Sequence, residues 1–80
     1  MTTEELIKIG NALLEVRKDH PDDLVLACFA SLLAGFADLL SATRRKSQQA
    51  AIFDVATKAI RTFDVYVTTY YPGWDKDLSL

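Results

Sequence analysis

The sequence predicts an all-α fold, a small three-helix bundle with a short C-terminal tail. Three observations predict it. Apolar residues recur at three- and four-residue spacing along three stretches. A proline-bearing break and a polar run separate those stretches, and a second proline closes the last of them. The one segment of strand-like composition has no partner strand elsewhere in the chain. The predicted helices cover residues 3–18, 21–43 and 47–70 of a single domain, 1–80.

The first helix opens on Thr2, with Glu5 three residues later as a capping box and Met1 placed to pack on Leu6. Leu6, Ile9, Leu13 and Val16 form its apolar stripe, which Ile7 and Leu14 widen. Glu4 and Lys8 are spaced for an ion pair, and Arg17 and Lys18 suit the negative end of the helix dipole. Gly10 costs about 1 kcal/mol there against alanine, which marks it as a candidate close contact.

Asp19-His20-Pro21-Asp22-Asp23 punctuates the chain, and Asp19 or His20 is expected to cap the second helix. Leu24 to Ala37 then carries no charge over fourteen residues, too short to cross a bilayer before Asp38 interrupts it. The expected object is a central helix buried nearly all round. Two short helices cannot cover every face of it, so part of that burial is expected between molecules. Its small residues fall in rows, Ala27-Ser31-Gly35 and Ala30-Ala34-Asp38, and small side chains let another backbone come close. Ala27, Ser31, Ala34 and Gly35 are therefore the candidate dimer interface.

Ser41 to Gln49 is the sustained polar stretch, with Ser47 a possible cap for the third helix. Ile52, Ala56, Ala59, Ile60, Phe63, Tyr66, Val67 and Tyr70 continue the helical spacing, and Asp54 and Lys58 are placed to pair. Residues 63–71 are β-branched and aromatic; with no strand to pair with, helix wins, and Pro72 ends it near Tyr70 or Tyr71. Trp74, Leu78 and Leu80 then offer anchors for the tail.

The composition excludes several function classes. Nine basic and eleven acidic residues leave a net charge of −2, which does not favour nucleic-acid phosphate. One cysteine and one histidine exclude an intramolecular disulfide and a Cys/His zinc site. Cys28 is expected as a buried, inert thiol, and His20 in a capping or solvent role. The three glycines stand far apart, so no phosphate-binding loop is formed, and no nucleophile–base pair is evident. The expectation is no enzyme, no cofactor and no metal. Arg44-Arg45-Lys46 is the sole basic cluster and reads as solvated cations beside a helix end.

Tyr66, Tyr70, Tyr71 and Trp74, rimmed by Asp64, Asp75 and Asp77, form the candidate contact for a protein partner. Tyr66, Tyr70, Tyr71, Trp74 and Asp77 are the residues singled out. A chain this short, without disulfide or metal, is marginal alone, so a homodimer or another protein is the expected supplement. The first residues lack the basic-then-apolar pattern of a secretion signal, so a cytoplasmic location is expected, with no membrane.

The tail Tyr71-Pro72-Gly73-Trp74-Asp75-Lys76-Asp77-Leu78-Ser79 resembles the C-terminal stretch of a small, helical, phage-type anti-CRISPR family acting on type I-E systems. There, too, a Tyr-Pro-Gly is followed after three residues by Asp-Leu-Ser. The resemblance covers nine of eighty residues and does not extend into the helices. It implies a non-enzymatic inhibitor that docks on a subunit of a host surveillance complex. The alternative is a structural or assembly protein whose main partner is itself.

Overall fold

A computed structural model describes residues 2–76 and 78 as three helices: α1 (Thr3–Asp19), α2 (Leu24–Ala42) and α3 (Lys46–Tyr70). Both α1 and α3 pack on α2 and not on each other, so α2 is the central helix. The all-α three-helix architecture with a short tail is as the sequence predicts.

At the start of α1, Thr2 Oγ1 accepts the Glu5 backbone N–H at 3.1 Å, and Glu4 and Glu5 meet the positive end of the dipole. The Met1 staple lies outside the described residues. Lys18 pairs with Glu15 at 2.9 Å in the last turn; the Glu4–Lys8 pair expected from spacing does not form. Asp54 and Lys58 do pair, at 3.1 Å.

The second helix begins three residues later than predicted. Pro21 and Asp22 lie in a turn that the Asp23 N–H closes on the His20 carbonyl at 3.2 Å. Asp23 is the cap, its Oδ1 accepting the Leu26 N–H at 3.0 Å. Neither Asp19 nor His20 serves: Asp19 is the last residue of α1, and the His20 N–H returns to the Arg17 carbonyl. At the α2–α3 junction Ser47 is not the cap either. Arg45 holds that position without a side-chain bond, and the connection is tied instead by Thr43 donating to Gln48 Oε1 at 2.6 Å.

Residues 63–70 are helical, and Thr62 and Thr69 donate their hydroxyls to the carbonyls one turn back. The helix stops at Tyr71, ahead of Pro72, and Gly73 turns the chain with a positive φ of 85°. Trp74 and Leu78 then fold onto the core; Leu80 lies outside the described residues.

The core consists of Leu6, Ile9 and Leu13 from α1, Leu26, Phe29, Ala30, Leu33 and Leu40 from α2, and Ala56 and Val67 from α3. Phe29 stacks on Phe63 with ring centroids 4.8 Å apart, which fastens α3 to α2. No polar side chain is buried among the described residues, so burial of apolar surface is what holds the helices together.

Gly10 faces α2, but it does not mark an obligatory close approach. A Cβ there would sit 3.9 Å from the Leu33 Cβ, an ordinary contact. Gly10→Ala is therefore expected to stabilise the fold by roughly 0.5–1 kcal/mol through helix propensity. Urea unfolding followed by circular dichroism checks this; a lowered midpoint would show that the α1–α2 contact does not tolerate the methyl group.

Candidate functional site

Two surface regions stand out, and the predicted site residues are divided between them. The first is the corner where the α1–α2 turn meets the end of α3. Asp23, having capped α2 with one carboxylate oxygen, accepts with the other the hydroxyl of Tyr66 at 2.8 Å and that of Tyr71. One side chain thus joins a turn to residues 43 and 48 positions away. The His20 ring lies against Tyr71, centroids 4.5 Å apart, and Tyr66 against Tyr70 at 4.7 Å.

The electrostatics follow from those bonds. The Tyr71 hydroxyl first, then the Leu26 N–H, hold the Asp23 carboxyl below its ordinary value, and partial desolvation opposes them. The same hydrogen bond to Asp23 pushes the Tyr71 hydroxyl up to about 12 and raises that of Tyr66.

Beside this corner, an open cleft of about 750 Å³ runs between α1 and the tail. Glu15, Val16 and Asp19 line one wall and Tyr70, Tyr71 and Trp74 the other. Of the five residues predicted to bind a partner, Tyr66 and Tyr71 are half-buried, with their hydroxyls engaged by Asp23. Trp74 packs on the core and points its Nε1 toward Thr68 Oγ1 at 3.4 Å. Tyr70 is left exposed, and Asp77 lies outside the described residues. The corner is a structural tie first, and Tyr70 is its free aromatic face.

The second region is the outer face of α2. This helix is not buried nearly all round: its buried side chains lie within an arc of about 100° at 100° per residue. On the opposite side Leu24 is 79% exposed, Leu39 54% and Leu32 39%, with Cys28 and Gly35 also exposed. Cys28 is thus a surface thiol, not the buried one the apolar run suggested. Cys28, Ser31, Leu32, Gly35, Phe36 and Leu39 line a shallow apolar depression of about 490 Å³ there.

The four predicted interface residues fall on or beside this face. Ser31, Ala34 and Gly35 are exposed and Ala27 is half-buried. Space beyond Gly35 is open, with no atom within 4 Å of a Cβ placed on it. Asp38, one turn beyond Ala34, is the sole charge within α2.

The helix is also longer than its fourteen-residue charge-free run. At 19 residues and a mean hydropathy of 2.0, α2 is long and apolar enough to cross a membrane by length and composition alone. The inner face packed by α1 and α3 is equally the signature of a core helix in a small bundle.

Among the described residues no three His, Cys, Asp or Glu side chains gather into a group able to hold a metal ion. No family model, no curated protein and no solved structure matches this chain.

The Asp23 tie makes a pH prediction. A carboxyl held below its ordinary 3.8 adds stability that is present above that value and is lost as the pH falls through the lowered one. A tyrosine raised from 10.0 to about 12 adds stability present below 10.0 and lost as the pH rises toward about 12. Asp23→Asn retains a capping side chain but should flatten the acid limb of stability, measured as urea midpoints between about pH 7 and 3. Asp23→Ala, which removes the cap as well, should cost about 1–2 kcal/mol at neutral pH. An unchanged acid limb in Asp23→Asn would contradict the role given to this carboxylate.

Proposed function

We propose that this chain is a small, non-enzymatic protein-binding regulator of the inhibitor kind, acting by covering a partner's surface. The observation that carries the reading is the exposed, uncharged outer face of α2, from Leu24 through Cys28, Leu32 and Gly35 to Leu39. Burying large aliphatic side chains now in water gains about 25 cal/mol per Å² of apolar surface, and a protein surface supplies that burial without any chemistry. The tail's resemblance to phage anti-CRISPR proteins supports the inhibitor form, with the host cytoplasm as its place of action. Tyr70, exposed at the aromatic corner, is available to extend such a contact.

A second reading, an assembly protein whose main partner is a further copy of itself, is favoured by Gly35. A glycine with open space before it lets a like helix approach closely.

The test compares wild type with Leu32→Glu/Leu39→Glu, both changes on the exposed face. The variant should keep its helical circular dichroism and thermal midpoint. Immobilised wild type should retain a stoichiometric protein from host lysate that the variant releases. Equal retention by both would place the contact elsewhere; a wild type that captures nothing and stays monomeric would remove the reading.

A further inference from the structure

We propose that the cleft between α1 and the tail receives an arginine side chain of a protein partner, with carboxylates on one side of it and aromatic rings on the other. The inference rests on the reading of the chain as a protein-binding regulator and adds the chemistry of a second contact, apart from the α2 face.

The two walls of the cleft differ in kind. Glu15 and Asp19, four residues apart and so on one face of α1, bring two carboxylates to the first wall. Tyr70, Tyr71 and Trp74 make the second wall of aromatic rings. At about 750 Å³ the cleft is of the size that binds small ligands, and it is open enough for a side chain standing on another protein to enter.

That pairing of walls selects the ligand. Carboxylates repel an anion, and among the described residues no three ligating side chains gather to hold a metal ion. An organic cation satisfies both walls, because the face of an aromatic ring attracts positive charge as a carboxylate does. Among such cations a guanidinium is planar, so it stacks on a ring while its N–H groups bond a carboxylate in pairs. An ammonium is a compact, strongly hydrated charge and gives up more water for the same contact.

The charges already present leave room for that cation. Lys18 is spent on Glu15 at 2.9 Å, and Asp19 has no ion pair among the described residues. Lys76 also lines the cleft, on the tail side. Against it stand Asp19 and, behind the aromatic wall, the Asp23 carboxylate, which no cation neutralises among the described residues. Asp23 accepts the Tyr71 hydroxyl, and a phenol that donates to a carboxylate carries more negative charge on its ring. His20 covers part of Tyr71, while Tyr70 is 64% exposed and free to stack.

Trp74 is the only tryptophan and stands in the cleft wall, so its fluorescence reads occupancy directly. The probes are acetyl-Gly-Arg-Gly-amide and its lysine and citrulline counterparts, citrulline having the shape of arginine without the charge. The arginine peptide should change the emission saturably between about 0.1 and 20 mM, the lysine peptide should bind at least about threefold more weakly, and the citrulline peptide should leave the emission unchanged. Asp19→Asn and Tyr70→Leu, both at exposed positions, should each weaken the arginine peptide by about threefold or more, with unchanged circular dichroism. Three outcomes overturn the proposal: no saturable change with the arginine peptide, an equal response to citrulline, or binding indifferent to both substitutions. A chain that binds no arginine peptide, yet retains a lysate protein that Leu32→Glu/Leu39→Glu releases, would refute this site alone and leave the regulator reading standing.

Discussion

A helix that is apolar on every side can be enclosed only by neighbours on every side, and α2 has two. Helices pack with their axes about 8–10 Å apart, so α1 and α3 shield the side of α2 that faces them and no more. Leu26, Phe29, Ala30, Leu33 and Leu40 occupy that side and join the core; Leu24, Leu32 and Leu39 are left in water. The fold's inner organisation and its unsatisfied surface are two results of one constraint. The helix that supplies half of the core also supplies the patch that core formation cannot remove.

The Asp23 tie determines how the third helix closes on this arrangement. Apolar packing is non-directional, and Phe29 against Phe63 alone would tolerate a sliding α3. A carboxylate that caps α2 and accepts two tyrosine hydroxyls is directional, and it fixes the end of α3 against the α1–α2 turn. The tail then returns over the same corner, where Trp74 and Leu78 meet the core. The aromatic cluster that composition alone marks as a binding surface is therefore largely spent on the fold, with Tyr70 left over.

What could be read from the sequence was what depends on near neighbours. Helical spacing located all three helices, Thr2 and Pro72 marked a start and a stop, and Asp54–Lys58 paired as its spacing required. Asp23 was hidden because its importance comes from Tyr66 and Tyr71, far along the chain, while Asp19 and His20 beside it were equally plausible caps. Cys28 was misplaced for a different reason. A helix with apolar residues all round carries no periodic signal to say which side turns inward, so its exposed face had to come from the packing of α1 and α3. The exposed half of the same helix extends well past the row of small residues, through leucines that composition would assign to a core.

Cys28 offers the most direct probe of the central claim, that α1 and α3 leave the outer face of α2 open to water. It is the only cysteine, and it lies on that face. Its rate of modification by N-ethylmaleimide, pulsed and read by mass at low micromolar chain, should be comparable in the folded and the urea-unfolded chain. Circular dichroism of the folded sample should show the helices intact. A thiol that reacts only once urea has unfolded the helices would contradict the account, because that face would then be turned inward.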